Sequence, residues 1–247
     1  MHFWKQRPDN YCMDNDFRRG DMNKTKTENR YVQILSTGVR LEGIVSVPED
    51  PHGLVLFVHG SGSSRHSPRN QFVAQTLQEG GFATLLFDLL TPSEEEIDLR
   101  TRHLRFDIDL LARRTAGVLE WLDLQPFAYE LKRGLFGSST GAAAALMAAA
   151  ELPDKVHAVV SRGGRPDLAG PYLPKVQAPT LLIVGGNDGT VIELNEEALE
   201  QMQAGSEKKL TIVPGASHLF EEPGTLEYAA RLATDWFQMH LDGVGVR

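Results

Sequence analysis

Three residues of this chain have the types and the order that nucleophilic catalysis needs: Ser139, Asp188 and His218. A serine hydroxyl is a poor nucleophile until a base takes its proton, and imidazole is the side chain suited to that near neutral pH. The imidazole in turn needs an acid that holds its tautomer and stabilises the imidazolium formed during reaction. Ser139 is the middle of Gly137-Ser138-Ser139-Thr140-Gly141, Asp188 closes Gly185-Gly186-Asn187-Asp188, and His218 closes Pro214-Gly215-Ala216-Ser217-His218. The chain has 8 histidines, so position must select among them, and His218 is the one behind the last strand pattern. Asp154, Asp167 and Glu193 compete with Asp188, but only Asp188 directly follows a buried-strand pattern. The chemistry of such a trio is acyl transfer through a covalent acyl-enzyme.

Each of these residues needs an element to aim it. Gly134-Leu135-Phe136 reads as a short strand, and the alanine-rich run after Gly141 reads as a helix, since Ala, Leu and Met lead the helix-propensity scale. A strand, a GxSxG turn and a helix in succession form a nucleophile elbow. Gly137 and Gly141 carry no Cβ, so strand and helix can close on the turn, and the helix N-terminus favours developing negative charge. Tyr31–Leu35 and Leu41–Val47 alternate and predict an edge hairpin. Leu54–Val58, Phe82–Phe87, Val156–Val160 and Thr180–Val184 lack polar alternation, as strands buried on both faces do, and Leu210–Val213 reads as a further strand. Helical patterns cover Asn70–Glu79, Leu99–Leu124, Ile192–Met202 and Thr225–His240, while Pro92–Asp98 reads as an acidic loop. Strands alternating with helices predict an α/β fold with a doubly wound, mostly parallel sheet. Residues 1–28 are polar and aperiodic and read as a flexible arm, leaving 29–247 as one domain.

Composition narrows the function classes. A net charge of −8 and a pI near 5.5 argue against nucleic-acid binding. The single cysteine, Cys12, excludes an internal disulfide framework and suits a reducing compartment. No apolar run reaches the roughly 18 residues of a membrane span, and the N-terminus has no secretory apolar region. The expectation is a cytoplasmic protein that takes a small-molecule ester, touches neither membrane nor nucleic acid, and uses no metal or organic cofactor. A homodimer is an assembly the sequence leaves open.

The loop His59-Gly60-Ser61-Gly62-Ser63-Ser64 follows the first buried strand. Backbone N–H donors aimed at the oxyanion supply much of the rate gain in acyl transfer, and the expected pair is Thr140, after the nucleophile, and Ser61. His59 is expected to bond locally and shape this loop. A phosphate-cradling role for the loop is weak, because the P-loop Lys-Ser/Thr ending and the dinucleotide spacing are both missing. Arg65, His66 and Arg69 follow the loop, and Arg162 and Arg165 follow a neighbouring strand. Arg65, Arg69 and Arg162 could form a cationic wall for an acidic substrate group. The reading preferred from sequence is instead that these arginines pair with Glu94, Glu95, Glu96 and Asp98.

From about Val32 to Phe237 the chain resembles serine-nucleophile α/β-hydrolases of the dienelactone-hydrolase-like branch. The resemblance rests on HGSGSSRHSPRN, GLFGSSTG, VSRGGRPDL, VGGNDGTV and PGASHLFEEPG, in that order. It implies the α/β-hydrolase fold. Dienelactone hydrolases proper place cysteine at the elbow; Ser139 there favours a carboxylesterase. Many α/β-hydrolases insert a cap domain where this chain has only Arg162 to Pro179, which implies an open site and a preference for short acyl chains. An acyltransferase or lactone hydrolase would use the same three residues. A peptidase is disfavoured by the missing cap or propeller domain, and a non-catalytic binding module by the completeness of the trio.

Overall fold

The computed structural model describes residues 27–202 and 206–242. The arm expected over residues 1–28 lies almost wholly outside the described residues, and its last position, Glu28, opens the first strand. The strands are β1 (Glu28–Ser36), β2 (Val39–Val47), β3 (Gly53–Val58), β4 (Phe82–Phe87), β5 (Arg133–Ser138), β6 (Ala158–Arg162), β7 (Thr180–Gly185) and β8 (Lys208–Val213). They form one sheet in the order β1-β2-β4-β3-β5-β6-β7-β8. The β1–β2 and β2–β4 pairings are antiparallel and all others are parallel. The edge hairpin turns on Thr37 and Gly38, both at positive φ, which is the geometry that matches the strand twist in two-residue hairpins.

Helices α1 (Pro68–Glu79), α2 (Pro92–Thr101), α3 (Ile108–Leu122), α4 (Thr140–Glu151), α5 (Gly189–Gln201) and α6 (Thr225–Leu241) cover the sheet. Two apolar clusters result, one per face. Strand β3 feeds both, sending Leu54, Leu56 and Val58 to one side and Val55 and Phe57 to the other, as the two-residue period of a strand requires. Helices α1 and α6 pack together over one face, while α3 and α4 meet on the other. Every residue of α4 from Thr140 to Ala149 is buried. Only small side chains let a helix be enclosed on all sides at such close range, which explains the alanine run.

Two expectations need correction. Pro92–Asp98 is the start of α2, because Thr91 and Glu94 form a reciprocal capping box, Pro92 stands in the first turn, and acidic residues suit a helix N-terminus. The long helix expected over Leu99–Leu124 is broken: Arg102 turns left-handed at φ 58, a 3₁₀ turn spans Leu104–Phe106, and α3 restarts after Asp107. The buried Asp98 carboxylate staples this break by accepting from the Leu104 and Arg105 N–H groups and from the Arg105 guanidinium. The Arg162–Pro179 interval holds only the 3₁₀ segment Pro166–Lys175. No helix among the described residues is long and apolar enough to cross a membrane.

Candidate active site

Ser139 occupies the turn between β5 and α4 with φ 50 and ψ −125, a backbone region that a side chain rarely adopts. Holding a non-glycine residue there costs about 1–3 kcal/mol, so its surroundings must over-determine it. They do. The Ser139 carbonyl accepts from the N–H groups of Ala142 (3.1 Å) and Arg165 (3.0 Å), and its N–H points to the Arg162 carbonyl at 3.4 Å. Close approach makes the flanking glycines obligatory. A Cβ on Gly137 would meet the backbone of Ala142, and one on Gly141 would meet the carbonyls of Val58 and His59. The Ser139 hydroxyl makes no capping bond to its own helix, which leaves it available to the cleft above.

His218 Nδ1 lies 2.6 Å from Oδ2 of Asp188. Asp188 opens α5 without capping it, so its carboxylate is committed to the histidine. The two loops are laced together by backbone bonds from Gly186 N–H to Val213 O (2.8 Å) and from Asn187 N–H to Ala216 O (2.9 Å). A Cβ on Gly185 would strike the carbonyls of Ala216 and Ser217, so this approach requires glycine. Glu222 accepts from the Ser217 N–H at 2.9 Å and fixes the histidine loop from its other side. Of the rival acids, Asp167 is tied to Arg165 by two 2.8 Å bonds, and Asp154 lines a pocket with Arg133 and His157 at the amino ends of β5 and β6.

Ser139 and His218 line one cleft of about 260 Å³ with Ser61, Arg69, Asn70 and Arg162. Ser61 belongs to the loop after β3, and its N–H donates to the Thr140 hydroxyl at 2.9 Å. Both expected oxyanion residues are thus in contact, and the N–H of Ser61 is held by the side chain of Thr140. His59 shapes the loop as expected: Nε2 accepts the Leu89 N–H at 3.1 Å, so Nδ1 carries the proton and donates to Gly60 O at 2.9 Å. Burial pushes the His59 pKa down and keeps the ring neutral.

The arginines separate. Arg65 turns away from the cleft and pairs with Asp88 and with Glu42, the latter at 2.6 Å. Arg69 stays on the cleft wall, where its ion-pair partner among the described residues is the mostly exposed Glu221 at 3.4 Å. Arg162 is buried against it and bonds to Asn70 Oδ1 (3.3 Å) and Ser138 Oγ (3.2 Å). The preferred pairing with Glu94–Asp98 is overturned, since Glu94 binds Arg114 and Asp98 binds Arg105. Asn70 and Ser138 were not anticipated. Their one sequence signal was position, the first turn of a helix and the variable place in GxSxG.

A hydroxyl on a strained turn, an imidazole held by a carboxylate and a glycine-rich loop at one cleft are the parts of an acyl-transfer site. Comparison with known proteins identifies the fold and the family. Residues 53–171 match the sequence family described as the alpha/beta hydrolase fold. A dienelactone hydrolase from Anabaena variabilis, of known crystal structure, is 59% identical; the match covers 87% of this chain and 99% of that one, with a TM-score of 0.85. Est1E from Butyrivibrio proteoclasticus has a TM-score of 0.70 over 85% of this chain and 98% of its own, at 17% identity, a likeness of fold alone. Two curated Mycobacterium tuberculosis proteins, from strains CDC 1551 and H37Rv, are 58% identical over 214 residues and are provisionally named phosphoribosyl transferase. The match covers 87% of this chain but 47% of theirs, so the chain spans about half the length of these relatives.

Proposed function

Since the chain belongs to the α/β-hydrolase family, in its dienelactone-hydrolase-like branch, we propose that it hydrolyses small carboxylic esters with Ser139 as nucleophile. The observation that carries the reading is the commitment of Asp188 to His218 at the cleft that holds Ser139. Asp188 holds the Nδ1–H tautomer, which leaves Nε2 free to take the Ser139 proton. The Ser139 oxygen bonds to the ester carbonyl carbon, and the carbonyl π pair moves onto oxygen. The Thr140 N–H receives that oxyanion, and the Ser61 N–H joins it by exchanging the Thr140 hydroxyl for the oxyanion. Collapse breaks the bond to the alcohol, which leaves with the proton from His218. Water, activated by the same imidazole, then releases the acid and restores Ser139.

Ser139 in place of cysteine, with no cap domain among the described residues, supports an esterase of short-acyl substrates. A lactone contains the same bond in a ring, and the name of the Anabaena relative favours a cyclic ester as a second reading. The longer Mycobacterium relatives overlap this chain through its hydrolase fold, so no phosphoribosyl transfer is assigned to it. The test is labelling with a fluorophosphonate probe alongside hydrolysis of p-nitrophenyl acetate. Adduct formation at Ser139 and turnover that Ser139→Ala removes are expected. Turnover that survives the substitution would defeat the assignment.

A further inference from the structure

The cleft beside Ser139 contains a buried cation that no carboxylate among the described residues neutralises. Arg162 ends β6 at 6% exposure, yet among the described residues its guanidinium bonds to neutral oxygens, those of Asn70 and Ser138. Its Nε has no partner among the described residues, a trait it shares with Arg65, Arg114 and Arg133, and the group lies 5.7 Å from the centre of the Phe220 ring. The other deeply buried arginines are treated differently: Arg114 holds Glu94, and Arg133 holds Asp123. Taking a charge out of water is costly unless a counter-charge accompanies it, so an unpaired arginine in a cleft marks a place where the counter-charge arrives with the ligand. Burial, and then the nearby charge of Arg69, bring the Arg162 pKa down to about 10, which still leaves it cationic at neutral pH.

The surroundings add to this demand. Arg69 lines the same cleft, and its contact with Glu221 is long and solvent-exposed, a type of pair worth little. Both arginines adjoin the start of α1, where Ser67, Arg69 and Asn70 bring the positive end of a 12-residue helix to the cleft. Hydroxyls of Ser61, Ser63 and Ser67 line the wall as further donors.

We propose that this wall is a phosphate subsite: the ester taken by Ser139 carries a phosphate monoester group that sits against Arg162 and Arg69. The inference rests on the ester reading above. A phosphate brings about −1.5 to −2 charge and three acceptor oxygens at neutral pH, which answers two cations, a helix terminus and several hydroxyls. A carboxylate brings one charge and two oxygens, and would leave one guanidinium uncompensated.

Binding is tested without catalysis, by calorimetric titration of the protein with inorganic phosphate against succinate at equal ionic strength. Phosphate is expected to bind more tightly than succinate, and Arg162→Met and Arg69→Ala are each expected to weaken it about tenfold or more, the loss of a charge-assisted contact. If Arg162→Met fails to fold, Arg69→Ala decides. Succinate binding as tightly as phosphate, or phosphate binding unchanged in Arg69→Ala, would overturn the subsite. With catalysis, the acetyl ester of glycerol 3-phosphate should exceed the monoacetyl ester of glycerol in kcat/KM, and Arg69→Ala should collapse that ratio. Phosphate bound at the arginines with neither ester hydrolysed would uphold the subsite and remove the ester reading. Both esters hydrolysed alike with no phosphate bound would do the reverse.

Discussion

The Thr140 hydroxyl accepts a hydrogen bond from the backbone N–H of Ser61, 2.9 Å away, and so ties the helix behind Ser139 to the loop in front of it. The Thr140 side chain thereby anchors the Ser61 loop and holds the N–H that the oxyanion must take over. Thr140→Val keeps the shape and removes the acceptor. It should lower kcat for p-nitrophenyl acetate by about tenfold or more, with KM little changed, in line with the cost of a misplaced oxyanion donor. Thr140→Ser should restore most of the loss. Equal kcat values in wild type and Thr140→Val would show that the contact is incidental.

Ser139→Ala should cost on the order of 10³–10⁶ in kcat while leaving the fold intact. The strained backbone gives a second, independent readout. Ser139→Gly should be just as inactive yet melt higher than Ser139→Ala, because glycine adopts φ 50 and ψ −125 without penalty. Relief of about 1–3 kcal/mol corresponds to several degrees in Tm for a chain of this size. Calorimetry on the two variants checks it, and identical Tm values would mean that the turn is unstrained.

Acid should weaken the fold partly through Glu94. Its two bonds to Arg114, at 2.5 and 2.7 Å, hold the carboxyl well below its usual range, at about 2 against 4.5. A folded pKa below the unfolded one adds stability above the unfolded value, and that stability drains away as pH falls from 4.5 towards 2. Glu94→Gln should therefore melt below wild type at pH 7, and the gap should shrink steadily between pH 5 and pH 2–3. A gap independent of pH would remove the ion pair as its cause.

The ester preference should favour acetyl to butyryl over longer chains. Strand β6 leads to β7 through two short 3₁₀ turns kinked at Gly170, so few apolar groups among the described residues stand over the 260 Å³ cleft to cover a longer tail. Each uncovered methylene forgoes about 0.8 kcal/mol. Measured as kcat/KM for p-nitrophenyl esters from C2 to C12 below their micelle concentrations, the series should peak early. A rise through C8 would point to an apolar channel instead.

How far the site could be read from sequence depended on distance along the chain. Ser139, Asp188 and His218 each carry their evidence within a few neighbours: an apolar strand, then a glycine-rich turn. The α2 capping box was equally local, in Thr91 and Glu94, but the run of acidic residues around it looked like a loop. The surroundings of Arg162 were beyond reach. Asn70 and Ser138, its partners, lie 92 and 24 residues away, and which carboxylates fail to reach it is a property of the packed sheet. Arg65 and Arg162 looked alike as loop arginines; one is neutralised by Asp88 and Glu42, and the other is not.

The enclosure of α4 also governs how the elbow can fluctuate. Amides from Ala144 to Ala149, bonded within the helix and buried, should be among the slowest to exchange with deuterium. Ser139 is spliced directly onto that element and has no frayed segment into which its conformation could relax. The turn at Ser139 is therefore anchored to a slowly opening element rather than to a surface loop.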